Sequence, residues 1–435
     1  MKWEREALGQ ICSTSSGGTP NRKNKTFYVN GVIPWVKSGE LRNNTICFSE
    51  ELITEEALKN SSAKVFPKGT LLIAMYGATI GKLAFLGIDA ATNQAVCGIF
   101  KNPKVLLKYL YFYLLFQRPN LIKRGIGDAQ PNISQTILKQ LYVSYPAEIR
   151  EQERIVARIE ELFSELDKAV ETLNTTKQQL AVYRQAVLKE AFIGALTHSW
   201  RNQHFSKTAD EVLQDIYSKN NVVGHTDLME NYSLPFLPKS WKWISIGDIS
   251  KGAEYGSSKK SDKQGMVPVL RMGNIQNGAF QWDDLVYSSD EDEIKKYELH
   301  SGDVLFNRTN SPELVGKTAI YKGTSKAIFA GYLIRVNQVD EINGDYLTYY
   351  LNSSIARGYG NKVKTDGVNQ SNINSKKLYS YPFPLCSSEE QKHIVIELEA
   401  RLTVCDQIEK TIEQSLQQAE ALRQSILKQA FEGRL

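Results

Sequence analysis

The stretch "SPELVGKTA" (311–319) ends in Gly316, Lys317 and Thr318, which is how a phosphate-wrapping loop ends. Such a loop also needs a glycine five residues before Gly316, so that backbone amides can curl around the phosphate. Ser311 stands there, and the similar stretch "GATIGKLA" (77–84) lacks the closing hydroxyl as well. Both therefore read as tight turns carrying a lysine that faces phosphate. The five histidines (His198, His204, His225, His300, His393) have no nucleophile or carboxylate at a suggestive spacing. No GxGxxG follows a strand, and no Asn/Asp-Pro-Pro-aromatic box of the adenine methyltransferase kind is present. The run "DEDE" (290–293) reads as a solvated helix start. Five scattered cysteines give neither a zinc spacing nor a disulfide framework, and favour a reducing cytoplasm. The chemistry left is binding.

What would be bound is suggested by charge. Residues 1–147 hold 18 Lys+Arg against 9 Asp+Glu, while the rest of the chain is balanced or acidic. A basic domain suits a polyanion. The greasiest run, "YLYFYLLF" (109–116), is too short to cross a bilayer, and no stretch at the start of the sequence has the order of a signal peptide.

The elements that would position such a surface come twice. Residues 151–196 align on 390–435 at an offset of 239 without a gap, with 17 identities in 46 positions. Both copies open on Glu-Gln and close on Ala-Phe and Gly. Apolar residues recur at alternating steps of four and three, the seam of a coiled coil. The seam runs through Ile155, Ile159, Leu162, Leu166, Leu173 and Leu180 in one copy, and through Ile394, Leu398, Ile408, Ile412, Leu422 and Ile426 in the other. Each helix is expected to run roughly 45 residues, and the two to pack on each other.

The segments before the helices echo one another more faintly. "KGTLLIAMYG" (68–77) matches "SGDVLFNRTN" (301–310), "IGKLAFLG" (80–87) matches "VGKTAIYKG" (315–323), and "YLYFYL" (109–114) matches "YLTYYL" (346–351). Short β-rich runs broken by Gly and Asn predict a mixed α+β domain in each half. The turn-rich segment between the halves carries a short helix at 208–216, with Thr208 and Glu211 spaced as a capping box.

In this order of parts the chain resembles the specificity subunits of type I restriction–modification systems. The markers are "AEIREQERIVARIEELFSELDKAV" with "SSEEQKHIVIELEARLTVCDQIE", the helix exits "YRQAVLKEAFIGALT" and "LRQSILKQAFEGRL", and "LPKSWKWISIGDI". The resemblance implies two similar α/β target-recognition domains alternating with two long helices that pair as an antiparallel, pseudo-twofold coiled coil. It divides the chain into a first recognition domain (1–147), a helical region (148–197), a connector (198–236), a second recognition domain (237–387) and a second helical region (388–435). It implies a cytoplasmic, non-catalytic subunit on double-stranded DNA that holds two modification (methyltransferase) subunits and joins restriction (motor–nuclease) subunits. No cofactor or metal is implied for this chain. S-adenosylmethionine belongs to the modification partner, and ATP and Mg to the restriction partner.

Loop residues suited to base edges and phosphates are then expected at the DNA. In the first half these are Lys37, Ser38, Glu40, Tyr76, Thr79, Lys82, Gln130 and Asn132. In the second they are Arg271, Asn274, Arg308, Thr309, Asn310, Lys317, Gln370 and Asn372, with Arg271 and Arg308 the strongest candidates for guanine. The competing reading is a cytoplasmic coiled-coil scaffold with tandem peptide-binding domains.

Overall fold

A computed structural model describes residues 2–77, 79–124, 132–229, 232–323 and 325–435. The chain forms two compact units, one from residues 1–174 with 412–435 and the other from residues 175–411.

Two larger sheets build the head of the first unit, beside the antiparallel pair Trp3–Ala7 and Tyr142–Pro146. One takes Thr14–Ser16, Val96–Ile99, Leu71–Ala74, Leu83–Leu86 and Asn44–Ile46 in that spatial order. The other sets Ile33–Val36 parallel to Ala90–Thr92 and antiparallel to Leu52–Ile53. The helix Leu107–Arg124 covers the larger sheet, burying Tyr109, Leu110, Tyr113 and Leu114. The second head repeats the plan. Ser250–Tyr255, Leu333–Gln338, Val304–Asn307 and Thr318–Ile320 form a sheet, Val267–Leu270 runs parallel to Ile328–Phe329, and Gly344–Leu351 is the covering helix.

The repeated four-and-three patterns become two helices of 44 residues each, Ile149–Phe192 and Ser388–Phe431. Each head holds the start of one and the end of the other. In the first unit Ile155 and Ile159 share a core with Leu427, Ala430 and Phe431. In the second, Ile394 and Leu398 share one with Val187, Leu188, Ala191 and Phe192. The Phe of each repeated Ala-Phe therefore meets the repeated tyrosines. Phe431 lies 5.3 Å from Tyr109 and 5.0 Å from Tyr113, and Phe192 lies 5.2 Å from both Tyr346 and Tyr350. Edge-to-face packing of this kind adds to the large apolar area each ring removes from water.

Within each unit the helical segments run antiparallel. Arg154 donates to the Leu435 carbonyl at 3.0 Å while Arg423 pairs with Asp167 in the first unit. Arg184 pairs with Asp406 at 2.6 Å while Trp200 stacks on His393 in the second. The seam departs from the expected one in one of its two rows. Ile155, Ile159, Ile394, Leu398, Ile412 and Ile426 are buried, and Leu162, Leu166, Leu173 and Leu180 are half-buried, but Ile408 is 40% and Leu422 50% exposed. Next to these two, Glu409 and Arg423 turn inward as half-buried members of ion pairs. The seven-residue spacing itself holds: Leu398, Cys405, Ile412, Ala419 and Ile426 stay buried, and the row beside them is Leu402, Glu409, Leu416 and Arg423, each half-buried and one residue after the expected row.

The connector helix is Ala209–Lys219. Its capping box forms as spaced, with Thr208 N donating to Glu211 at 2.7 Å, and Val212 and Ile216 enter the second head's core. The "DEDE" run departs from a purely solvated start. Asp290 caps the helix Glu291–Tyr297, but Glu293 is buried and accepts a hydrogen bond from Ser288 Oγ at 2.5 Å.

Phe192→Ala and Phe431→Ala are each expected to lower the unfolding free energy by about 3–5 kcal/mol. Leu422→Ala, at an exposed seam position, should change it by about 0.5 kcal/mol or less. Denaturant titration of the three variants checks the order; a Leu422 loss matching the phenylalanines would return Leu422 to the seam.

Candidate nucleic-acid interface

In both heads one junction gathers polar loop residues. After the strand Leu71–Ala74 the chain passes through Tyr76, which bridges to Asn132, and Ile133 N donates to Met75 O at 2.7 Å. After Val304–Asn307, Thr309 pairs with Asn372, and Ile373 N donates to Arg308 O at 2.8 Å. The same backbone thus brings together Tyr76 and Asn132 in one head, and Arg308, Thr309, Asn310 and Asn372 in the other. Asn372 Nδ2 donates to Thr309 Oγ1 at 2.7 Å, Tyr76 Oη to the Gln94 carbonyl at 2.7 Å, and Ser311 N to Asn310 Oδ1 at 2.8 Å. Burial raises the Tyr76 phenol's pKa, so it stays a neutral donor. Gln370 is exposed on the adjoining loop, and Gln130 lies outside the described residues.

In the second head this junction opens on a cleft of about 620 Å³. Arg271, Arg308 and Thr309 line it, together with Lys259, Lys260 and Tyr332. Arg308 is held before any ligand arrives. Its guanidinium lies 4.8 Å from the Tyr255 ring centre and Nη1 donates to the Gly331 carbonyl at 3.3 Å. Its Nε is buried with no hydrogen-bond partner among the described residues. A fork braced by a ring and a carbonyl loses little freedom when it engages two acceptors. Arg271 is less free, since Nη2 donates to the Asp284 carbonyl at 2.5 Å and to its carboxylate at 3.1 Å. The sequence reading passed over the loop bearing Lys259 and Lys260; its "GSSKKSDKQG" density of lysine and serine was the available signal.

Other expected contacts serve the fold. Asn274 is buried, donating to the Gln281 and Asp283 carbonyls at 3.2 and 3.1 Å and accepting from Arg271 N at 2.9 Å. A buried amide with these partners locks the loop and has no face for a base. Glu40 does similar work, accepting from Lys37 N at 2.7 Å and Glu50 N at 3.2 Å beside the turn that Ser38 begins. Lys37 Nζ lies 3.2 Å from Glu51 Oε1, and that hydrogen bond raises its pKa. Arg22, which the sequence reading missed, also pairs with Glu51, at 2.7 Å, and stacks 4.7 Å from Trp35. Thr79 and Lys82 share the turn after Gly77, and Lys317 Nζ donates to Gln276 Oε1 at 3.2 Å.

The duplication has a counterpart among known proteins. The profile described as "Type I restriction modification DNA specificity domain" matches this chain twice, over residues 1–180 and 238–418. The chain belongs to that family. It is 24% identical to the EcoKI specificity subunit of Escherichia coli K12, over all of this chain and 89% of that subunit. It is 23% identical to the StySPI specificity subunit of Salmonella potsdam, over the same shares. Among solved structures, a chain described under complex assembly and conformational transition of the type I R-M system superposes with TM-score 0.73 at 17% identity, covering 100% of this chain and 98% of that one. The HsdS subunit of Thermoanaerobacter tengcongensis gives 0.50 at 19%, over 100% and 97%. These likenesses concern the fold. The family makes this a DNA sequence-specificity protein, and the peptide-binding scaffold is not favoured. No helix among the described residues is long and apolar enough to cross a membrane.

Asn274→Ala should lower stability by about 1–3 kcal/mol through the polar groups it strands, whereas Gln370→Ala should leave it unchanged. Thermal unfolding distinguishes them; equal midpoints would return Asn274 to the contact surface.

Proposed function

We propose that this chain is the non-catalytic reading subunit of a cytoplasmic type I restriction–modification complex. Its two heads read the two halves of one asymmetric, gapped DNA target. The division is the one the sequence suggests: recognition domains at 1–147 and 237–387, helical regions at 148–197 and 388–435, and the connector 198–236 between the halves. The carrying observation is the twofold family match on two heads that share a backbone and differ in the residues it presents. Where the second head sets Arg308 and Thr309 at its junction, the first sets Met75, which is buried, and Tyr76. Unlike side chains on like scaffolds imply unlike half-sites, in contrast to the palindrome of a homodimer.

The helix contacts of one unit are repeated in the other. Each unit makes the same Arg–Asp pair, Arg423 with Asp167 and Arg184 with Asp406, and these residues occupy matching places in the two copies. Two units built alike in this way suit two identical modification subunits, which supply S-adenosylmethionine and methyl transfer. Restriction subunits supply ATP- and Mg-dependent cutting, and this chain contributes the address. In this arrangement the helices act as a ruler. The heads meet the duplex a turn or more apart, and helix length sets the unspecified gap.

In the assembled complex, Arg308→Ala should change the bases required in one half of the target and leave the other half unaltered. Mapping methylated adenines along a genome reads this directly, and an unaltered methylation pattern would count against it. Inserting one or two helical turns near Leu173 should lengthen the gap and preserve both halves; loss of all methylation with intact assembly would contradict the ruler.

A further inference from the structure

The two heads can be compared for what duplication kept as well as for what it changed. The turn after the strand Leu71–Ala74 and the turn after Val304–Asn307 are built by matching hydrogen bonds. Gly81 N donates to Ala74 O and Gly316 N to Asn307 O, both at 2.8 Å. Ala74 N donates to Lys82 O at 2.9 Å and Asn307 N to Lys317 O at 2.8 Å. Both glycines have positive φ, 72° and 90°, a conformation that glycine adopts without steric cost. A lysine follows directly in each.

An arginine from a helix lies against each turn. Arg118, on Leu107–Arg124, donates Nε to Ile80 O at 3.3 Å, and its Cγ would be 2.8 Å from a Cβ added to Gly81. Arg357, on Ser354–Val363, lines a cavity of about 90 Å³ with Val315 and Gly316. Among the described residues none of these four cations pairs with a carboxylate. Lys317 has only the neutral Gln276 amide. Glu313 lines the same cavity as Arg357 but forms no ion pair with it. Burial, and then the charge of Arg357, hold the Lys317 ammonium below its ordinary pKa, as neighbouring cations without an intervening anion require.

Nearby, the side chains that could read bases have changed, Met75 against Arg308 and Tyr76 against Thr309. A lysine kept in both heads, each with a helix arginine set beside its turn, while these residues diverge serves something that does not depend on the bases. On a duplex that is the phosphate backbone, whose contacts position a protein without carrying sequence information. We propose that each Gly-Lys turn with its helix arginine is a phosphate clamp, Lys82 with Arg118 in the first head and Lys317 with Arg357 in the second. Each grips the DNA backbone at a matching place in its own half-site. This rests on the DNA-specificity reading and adds to it a sequence-independent grip.

The test uses the complex with its modification subunits and two duplexes, one carrying the target and one unrelated, with affinity followed against salt. Lys82→Gln and Lys317→Gln should each weaken binding several-fold and equally on both duplexes. Each should also reduce the slope of log affinity against log salt by about 1. Arg118→Gln and Arg357→Gln should act in the same direction, Lys→Arg should retain the slope, and the methylated sequence should not change. A wild-type slope in the Gln variants overturns the clamp while leaving the DNA reading intact, as does a loss confined to the target duplex. Lower thermal midpoints or lost modification subunits at unchanged slope would assign these residues to folding or assembly, again against the clamp. A wild-type complex that cannot tell the two duplexes apart would sink the parent reading itself.

Discussion

A buried amide in each unit fixes where a head meets the helix that leaves it. Gln152 and Gln391, both fully buried, are the second residue of the repeated Glu-Gln. Gln152 Nε2 donates to the Lys104 and Pro146 carbonyls at 2.9 Å, and its Oε1 accepts from Leu106 N at 2.9 Å. Gln391 repeats the pattern, donating to the Cys386 carbonyl at 3.1 Å and accepting from Asn343 N at 2.9 Å. A buried primary amide that loses such partners costs more than the bonds themselves, because polar groups remain unpaired in a dry core. The direction of the long helix is therefore tied to the covering helix of its head. Phe192 and Phe431 close the other side, each carrying the end of one long helix onto the tyrosines of a head. Everything a head presents is positioned by this joint.

That joint explains which parts of the sequence were legible. The Glu-Gln and Ala-Phe identities and the repeated tyrosine segments stand out because the same contact had to be made twice by one chain. Helix period and length were legible for the reason amphipathic patterns usually are: one face must leave water. The exposed Ile408 and Leu422 were not legible. A four-three count can start from either of two neighbouring rows, and the charged Glu409 and Arg423 hid the row that Leu402 and Leu416 share with them.

The junction residues divide along the same line. Thr309, Asn310 and Asn372, or Tyr76 and Asn132, come together because they sit in echoing loops between echoing strands. Asn274 looked equally suitable, and only the fold places the Gln281 and Asp283 carbonyls around it. Lys259 and Lys260 were missed for the converse reason. Their loop matches the first half only as "GGTPNRKNK" against "GSSKKSDKQ", a likeness of composition and not of identities, and a parallel bridge from Ser257 to Ala330 sets it beside Arg308.

The reciprocal ion pairs complete the physical picture. Arg184 with Asp406, and Arg423 with Asp167, are partly exposed, with Asp side chains 66% and 62% accessible, so neither pair adds much to stability. Their value lies in register. Sliding either helical segment by a turn separates both partners at once and moves Phe163, whose ring lies 4.9 Å beneath Arg423, off its cation. Polar and charged groups at the edge of an apolar seam commonly select one alignment among several that bury similar area. Each copy supplies its arginine to one unit and its aspartate to the other. A change at either residue therefore disturbs register in one unit only, which keeps both residues in both copies while most of the surrounding surface has diverged.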